Sequence, residues 1–472
     1  MDRYDVVAIG AGAAGLVTSA GAAGLGARTA LIERDRLGGE CLWTGCVPSK
    51  ALIAVASTVA AIRHGRAFGV SAGEPAVDWP AVKQWVHNAR LAIEPHDSPA
   101  RFGSLGVDVI HGTARFIESH VLDVGGRRVH GRHVVIATGS RPAIPDIPGL
   151  HDVPFLTNET VFEIDVLPRH LIILGAGAIG LELGQAFARL GSQVTILEAA
   201  PAIMPADDDD VRSVIEARIR GEGIDLRVGV TVTRVARTAR GVTMETSTAN
   251  AGAHTFEGDT LLVAAGRRPG FDHLDLDRAG IAADANGVRT DTRLRTSVDG
   301  VWAAGDIAGG PRFTHVADYQ ARLVLRNALF PFSAKASYDD IPRVTYTDPE
   351  FARVGMTERE ARDRHGSVEV WTRPFGDVDR AIADGRTVGM TKLIGDRRGR
   401  ILGAHIVGYG ASNLIAEVAL AKKHGLGMSK LGNTVHAYPT YAEALRQAAE
   451  QHGRARFTGA VKAIVRRIVR RV

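Results

Sequence analysis

One glycine pattern occurs twice in this chain, each time between two apolar segments. The first copy is DVVAIGAGAAG followed by RTALIERD, and the second is HLIILGAGAIG followed by QVTILEAA. In both copies an acid lies 18 residues after the third glycine, 33 minus 15 and 198 minus 180. A strand, a G-x-G-x-x-G turn, a helix and a second strand that ends in an acid form a βαβ unit that binds a dinucleotide. The residues are Gly10, Gly12, Gly15 and Glu33 in the first copy, and Gly175, Gly177, Gly180 and Glu198 in the second.

Each position in the pattern has a physical reason. The first glycine permits a tight turn, the second lets the backbone approach a pyrophosphate, and the third lets the helix pack on the strand. The helix N-terminus faces the phosphates, and the acid accepts hydrogen bonds from a ribose. Two sites indicate two different dinucleotides, because electron transfer needs a donor and a bound acceptor. Flavin and nicotinamide are the simplest pair.

The charge of the chain is uneven. A chain of 472 residues is longer than a single hydrophobic core usually supports, so more than one domain is expected. The formal net charge of the chain is +5. Without the seven basic residues that follow position 453, the balance is 50 minus 52, or −2. The body of the protein therefore does not favour a nucleic-acid partner. The seven residues are Arg454, Arg456, Lys462, Arg466, Arg467, Arg470 and Arg471.

The chain has two cysteines, Cys41 and Cys46, in the segment GGECLWTGCVPSK. The segment 6–27 is uncharged, but it lacks a preceding basic region and holds the first glycine pattern. We therefore do not interpret it as a signal or membrane segment, and we expect a cytoplasmic protein. In a reducing cytoplasm a cysteine pair is more often catalytic or metal-binding than structural. Two cysteines without clustered histidines make a poor metal site, and we predict no metal.

Several motifs follow one another in a fixed order. They are the first glycine pattern, GGECLWTGCVPSK at 38–50, VIATGSRP at 135–142, the second glycine pattern, AAGRRPG at 264–270, VWAAGDIAG at 301–309, and HAYPTYAEA near the C-terminus. Over nearly the whole chain this order resembles the pyridine nucleotide-disulfide oxidoreductases.

The resemblance implies an α/β fold with two Rossmann-like dinucleotide-binding domains, for FAD and NAD(P), and a C-terminal α+β dimerisation domain that forms a homodimer. The implied regions are 1–150 for the first part of the FAD domain, 151–272 for the NAD(P) domain, 273–336 for a central segment that completes the FAD site, 337–453 for the interface domain and 454–472 for a basic tail.

The resemblance also implies the residues that hold each cofactor. The FAD residues are Gly10, Gly12, Gly15, Glu33, Lys50, Ala114, Gly139 and Asp306, and the NAD residues are Gly175, Gly177, Gly180, Glu198 and Gly266.

The acid of the second copy indicates which nicotinamide is used. Glu198 would accept hydrogen bonds from a free 2′-hydroxyl and would repel a 2′-phosphate. No basic residue follows it until Arg212, so NADH is expected over NADPH. The acids Asp207 to Asp210 in between are expected to form a solvated helix start.

By the same resemblance, Cys41 and Cys46 form a redox-active disulfide. Cys46 would be the thiol that faces the flavin, and Cys41 would be the outer thiol that attacks a substrate. Lys50 would lie near the flavin and pair with Glu182. The start of an apolar helix at this point should favour thiolates through the helix dipole.

The chain departs from the disulfide-reducing relatives at several positions. Glu40 and Trp43 stand where threonine and asparagine are usual, and the Glu40 carboxylate would either oppose thiolate formation at Cys41 or point to solvent.

A further departure affects the acid-base catalyst that the other subunit supplies. Tyr438 occupies the position of the catalytic histidine, while Glu443 keeps the position of its partner. A tyrosine with a pKa of about 10 donates a proton but is a poor base near neutrality. His436, two residues upstream, is interpreted as structural, with a role as substitute base left open.

The predicted function is that of an FAD-dependent NAD(P)H oxidoreductase that passes electrons to a disulfide, a persulfide or another small acceptor. One alternative is a quinone reductase in which the cysteines only tune the flavin. Another is a nucleotide-binding redox sensor that its basic tail recruits. The tail is amphipathic as a helix and could contact a membrane, although docking on the protein itself or fraying is the preferred interpretation. Its apolar positions are Val461, Ile464, Val465, Ile468, Val469 and Val472.

Overall fold

The structure is a computed structural model that describes residues 1–248, 252–456 and 459–469. The chain forms two compact units. The first comprises Met1–Ala199 and Gly229–Ser337, and the second comprises Ala200–Val228 and Tyr338–Val472.

The helices are named in chain order. They are α1 (Ala13–Gly24), α2 (Gly39–Trp43), α3 (Cys46–His64), α4 (Trp79–Ile93), α5 (Pro99–Ser104), α6 (Ala178–Leu190), α7 (Asp209–Gly221), α8 (Thr314–Leu329), α9 (Glu358–His365), α10 (Asp379–Ala383), α11 (Ala411–Lys423), α12 (Met428–Asn433), α13 (Glu443–Ala455) and α14 (Gly459–Val469).

The strands are named in the same way. They are β1 (Asp2–Ile9), β2 (Thr29–Glu33), β3 (Val107–His111), β4 (Ala114–Glu118), β5 (Val121–Val124), β6 (Arg127–Ile136), β7 (Ser140–Pro142), β8 (His170–Leu174), β9 (Gln193–Glu198), β10 (Asp225–Val228), β11 (Val230–Thr238), β12 (Gly241–Thr248), β13 (Gly252–Gly258), β14 (Thr260–Val263), β15 (Arg267–Pro269), β16 (Ala283–Asp284), β17 (Gly287–Val288), β18 (Val301–Ala303), β19 (Arg343–Thr345), β20 (Glu350–Gly355), β21 (Glu369–Pro374), β22 (Met390–Gly395) and β23 (Ile401–Gly408).

Two parallel arrangements organise the first unit. In one sheet the order is β3-β2-β1-β6-β5-β4, with β18 also paired to β6. β1 is parallel to β2 and to β6, and β18 is parallel to β6. In the other, β8 is parallel to both β9 and β14. The buried apolar runs of β1 and β8 suit central strands covered on both faces. The predicted α/β class with two Rossmann-like motifs is confirmed.

The helix that begins at Cys46 also belongs to the first unit. α3 packs against α4 and α6. By length and composition alone, Gly39–Phe68 is the one stretch of the described chain that could cross a membrane. This stretch holds both cysteines, and its Lys50 is paired with Glu182 of α6.

The second unit is built around an antiparallel sheet with the order β19-β20-β23-β22-β21. β23 is buried along its whole length, and α11 and α13 pack on the sheet. A sheet with segregated helices matches the α+β domain expected toward the C-terminus.

Some of the acids at the start of α7 are less exposed than a solvated helix start would require. Nζ of the buried Lys392 lies 3.1 Å from Asp208, 2.8 Å from Asp210 and 2.9 Å from Glu358. The equally buried Arg353 lies 2.8 Å from Asp207. A buried cation needs such partners, so these acids stabilise the interior of the second unit. The predicted helix start is correct, since Asp208 is the N-cap of α7 and Asp209 lies in its first turn with its side chain 86% exposed. The predicted solvation is wrong for Asp207 and Asp208, because their partners Arg353 and Lys392 lie far along the sequence and leave no local signal.

Candidate active site

The first and third glycines of each turn approach the backbone too closely for any side chain. Gly10 has φ of +96°, and a Cβ there would lie 2.6 Å from the carbonyl oxygen of Ala137. At Gly15 a Cβ would lie 1.8 Å from the carbonyl oxygen of Gly10. The second copy repeats both contacts: Gly175 has φ of +102°, and a Cβ on Gly180 would lie 2.0 Å from the Gly175 carbonyl. Each helix therefore starts directly at the end of its strand.

The second glycine of each turn faces open space. A Cβ on Gly12 or Gly177 would meet nothing within 4 Å. Each is the N-cap of its helix, so no side chain caps the first amides of α1 or α6. Uncapped amides beside an open backbone suit a pyrophosphate, and both turns fit a dinucleotide.

The acid at the end of the second strand is held in the same way in both copies. Glu33 accepts a hydrogen bond from the Ala11 amide at 2.7 Å, and Glu198 accepts one from the Ala176 amide at 2.7 Å. Each carboxylate therefore lies against its glycine turn, where a ribose hydroxyl of a bound dinucleotide would be recognised.

The two cysteines lie on the adjoining helices α2 and α3. Both are thiols, Cys41 half-buried and Cys46 exposed. Cys46 is the first residue of α3, and its Sγ lies 3.4 Å from Oγ1 of Thr314. The hydrogen bond from Cys41 lowers the pKa of Cys46 to about 6, with further contributions from Thr314 and the Lys50 charge. The same hydrogen bond, together with burial, raises the pKa of Cys41. The pair therefore loses its first proton from Cys46.

Lys50 lies one helical turn beyond Cys46. Its Nζ is 2.8 Å from Oε2 of Glu182, whose side chain is only 7% exposed. Glu182 lies in the first turns of α6, directly after the second glycine turn. The structure thus brings together the two residues that the family resemblance paired.

Glu40 is bound within the protein. Arg267 donates from both terminal nitrogens to the two carboxylate oxygens, one of them at 2.6 Å. Asn158 donates to Glu40 at 2.8 Å and to the Thr44 carbonyl at 3.3 Å. Burial raises the pKa of Glu40, and Arg267 opposes that rise. The sequence offered two alternatives for Glu40: a carboxylate that opposes thiolate formation at Cys41, or one that points to solvent. The structure shows a third arrangement, because Arg267 binds both carboxylate oxygens.

Arg267 also reaches the segment expected to hold the flavin. Its Nε donates to Oγ of Ser140 at 2.8 Å and lies 3.8 Å from Oδ2 of Asp306. Ser140 in turn donates to Asp306 at 2.5 Å. Ser140 and Arg267 meet on the paired strands β7 and β15. Their motifs were recognised in the sequence, but the roles of Arg267, Ser140, Asn158 and Thr314 were missed, since no spacing connects them to the cysteines.

The other predicted residues of the first unit occupy turns and strand ends. Ala114 is buried at the start of β4. Gly139 has φ of +66° and open space where a Cβ would be, and Gly266 has φ of +126°. Trp43 donates from its indole to the Leu37 carbonyl at 2.7 Å, so it anchors the loop that precedes the cysteines.

The candidate acid-base residues lie in the second unit. Tyr438 is 70% exposed, and its hydroxyl donates to Asp379 at 2.9 Å. That hydrogen bond raises the pKa of Tyr438. Glu443 is buried and lies 3.1 Å from Arg446. The ring of His436 is held by Glu417 at 2.8 Å and by the Thr434 carbonyl at 2.9 Å. In this unit both ring nitrogens of His436 are engaged.

Replacing Thr314 by valine should raise the pKa of Cys46 above 6, because one hydrogen bond to the thiolate is lost. A hydrogen bond to a charged group contributes about 1.5 kcal/mol, which corresponds to a pKa change of roughly one unit. The thiolate of the reduced protein would then form at higher pH, as measured by ultraviolet thiolate absorbance or by the pH profile of alkylation. Thr58→Val is the control, since its hydroxyl bonds only the Ala54 carbonyl in the same helix. An unchanged profile in Thr314→Val would contradict this role.

The pair Glu40 and Arg267 should be strongly coupled. We expect Glu40→Gln and Arg267→Met each to lower the melting temperature and the double variant to lose less than their sum. For a partly buried pair the coupling is about 1 to 3 kcal/mol. The neighbouring surface pair Arg268 and Asp272, 52% and 57% exposed, is the control and should couple by less than about 1 kcal/mol. Additive losses at Glu40 and Arg267 would show that the two residues act separately.

Comparison with known proteins places the chain among flavin enzymes. A model described as pyridine nucleotide-disulphide oxidoreductase matches residues 4–321, and the dimerisation domain of that family matches residues 341–449. The dimerisation domain implies a homodimer.

Similar proteins match over almost their full length. A mercuric reductase of Streptomyces lividans is 37% identical over 462 residues, covering 95% of this chain and 96% of the relative. A dihydrolipoyl dehydrogenase of Thermus scotoductus is 35% identical over 459 residues, covering 95% and 97%. The solved structure of the HOCl-induced flavoprotein disulfide reductase RclA from Escherichia coli has a TM-score of 0.84 at 31% identity, covering 95% and 99%. The chain therefore belongs to the pyridine nucleotide-disulphide oxidoreductase family, whose members use FAD and NAD(P)H.

Proposed function

We propose that the protein is a homodimeric reductase that takes electrons from NADH and delivers them through Cys41 and Cys46 to a disulfide, a persulfide or another small acceptor. The observation that supports this most directly is the position of Cys46, which is the first residue of α3 and has its Sγ 3.4 Å from Oγ1 of Thr314. Cys41, Thr314 and Lys50 lower its pKa. FAD, when bound, would supply the two-electron exchange between nicotinamide and the cysteine pair. A cytoplasmic location is part of this proposal, since a reducing compartment keeps both thiols available.

Cys41 is the thiol that we propose attacks a disulfide. Its sulfur would bond to one half of the substrate, and the other half would leave as a thiol with one proton. Cys46 would then displace the second half and close the Cys41 to Cys46 disulfide. The pair gives up two electrons and two protons, and the acceptor becomes two thiols. Because the pKa of Cys41 is raised, its proton must be removed before the attack.

Tyr438 limits that proton transfer. By the family resemblance its counterpart acts from the other subunit. The hydrogen bond to Asp379 holds the phenol neutral and raises its pKa. A neutral phenol can give a proton to a leaving thiolate but cannot take one from Cys41 near neutral pH. We therefore expect slow turnover with dithiols such as dihydrolipoamide.

NADH is proposed over NADPH. Glu198 would face the ribose, where its charge would repel a 2′-phosphate. Its hydrogen bond to the Ala176 amide keeps the carboxylate at the turn. The nearest following basic residue, Arg212, lies 3.0 Å from Asp209 and is engaged there.

A second candidate function is quinone reduction, with the cysteines only tuning the flavin. The raised pKa of Tyr438 favours this alternative, because a quinone that accepts electrons from the flavin needs no base at Cys41.

The variant Cys41→Ser separates the two functions. We expect it to abolish NADH-dependent reduction of disulfides and persulfides, because the attacking sulfur is lost, and to leave quinone reduction largely intact. The measurement is an acceptor screen with NADH and NADPH on the purified, FAD-saturated enzyme, with Thr58→Val on the adjoining helix α3 as the control. Disulfide reduction that persists in Cys41→Ser would contradict the primary proposal, and quinone reduction that collapses would contradict the second.

The variant Tyr438→His should raise the rate of dihydrolipoamide oxidation. Histidine has an ordinary pKa of about 6.5 and can exchange a proton near neutrality, and general acid-base catalysis contributes about 100-fold or more. The rate is measured against pH, and the gain should follow the titration of a group near that pKa. Tyr409→His, at another exposed tyrosine, is the control. No gain in an intact, flavin-loaded dimer would mean that the missing base does not limit turnover.

A further inference from the structure

The C-terminal segment forms a helix that is separate in sequence from the family domains. The dimerisation-domain match ends at residue 449, and α14 follows as Gly459–Val469. Three of its apolar side chains are exposed: Val465 at 42%, Ile468 at 60% and Val469 at 68%.

The three apolar residues share one face of α14. At 3.6 residues per turn, positions 465, 468 and 469 fall within about 100° of one another. On a helical wheel drawn from the sequence alone, the pattern that adds positions 461, 464 and 472 spans an arc about 140° wide. Positions 470–472 and the side chains at 461 and 464 lie outside the described part of the structure.

The other face of the helix is basic. Lys462, Arg466 and Arg467 are exposed. The chain has seven basic residues after position 453 and no acidic residue after Glu450, while the rest of the protein has a balance of −2. The net excess of positive charge therefore lies in the C-terminal segment, where three apolar side chains of α14 are also exposed.

We propose that α14, the helix that the structure describes in the basic tail, docks on an anionic lipid surface. The apolar face would enter the boundary between headgroups and acyl chains, and the arginines and the lysine would contact lipid phosphates. This proposal goes beyond the proposed reductase function and does not depend on its acceptor.

Charge and shape together favour a lipid surface over other partners. A nucleic acid would use the basic residues but would leave the exposed valine and isoleucine side chains in water. An acidic protein groove would need a matched shape, whereas a membrane accepts any helix with an apolar arc flanked by cations. A homodimer would present two tails, and two weak contacts to one surface reinforce each other.

The test uses the full-length, FAD-loaded dimer and sedimentation with vesicles. One set of vesicles is pure phosphatidylcholine, and the other contains phosphatidylglycerol. We expect binding to the anionic vesicles that weakens with added salt, and little binding to the neutral ones. Val465→Glu with Ile468→Glu, and separately Arg466→Glu with Arg467→Glu, should each lower the partition coefficient by at least roughly tenfold.

The control variant is Val166→Glu, at a valine that is 76% exposed outside the tail, and it should bind as the unchanged protein does. A chain ending at Arg456 keeps α13 and should lose vesicle binding. Equal sedimentation of this chain and the full-length protein would overturn the proposal. So would dissociation of the dimer by the tail variants, because the helix would then be a contact between subunits. Tail-dependent binding of a duplex DNA probe without vesicle binding would equally overturn it.

Discussion

The first unit depends on the contact between the third glycine of each turn and the carbonyl oxygen of the first. A side chain at Gly15 or Gly180 would overlap that oxygen, so only glycine lets the helix start directly at the strand end. This close packing sets the direction of α1 and α6 and leaves their first amides beside the open backbone of Gly12 and Gly177. It also places Glu182 two residues beyond the turn, where it meets Lys50. The two open glycine turns and the ion pair of Lys50 with Glu182 therefore both depend on the close packing of the third glycine against the first.

Charged side chains then hold the cysteine segment in place. Glu40 is bound by Arg267, and Lys50 is bound by Glu182, so each end of the segment has an ionic attachment. Arg267 also contacts Ser140 and lies near Asp306, which connects the cysteine segment to the expected flavin site. The half-buried Glu40 carboxylate next to Cys41 is tolerated because Arg267 binds both of its oxygens. The charge at Cys46 is set by Cys41, Thr314 and Lys50.

The sequence predicted local geometry well and distant partners poorly. The glycine patterns, the acids 18 residues later and the order of motifs define strands, turns and helix starts, because each depends on neighbouring residues. The sequence predicts a solvated position for Asp208 at a helix start, since nothing nearby in the chain reveals that Lys392 lies against it. The sequence leaves a role for His436 as a base open, and only its contacts with Glu417 and Thr434 show that both ring nitrogens are engaged.

The sequence by itself determined the fold class, the two dinucleotide turns, the cysteine pair and the absence of histidine at position 438. These features follow from residue identity and short spacing, because each depends only on interactions between residues that are close in the sequence. Tertiary structure alone decided that Arg267 binds Glu40, that Thr314 lies beside Cys46 and that Asp379 holds Tyr438. Side chains from distant parts of the chain meet only after the sheets and helices have packed. The pKa of each reactive group depends on those neighbours, because burial and nearby charge act through space and not along the chain.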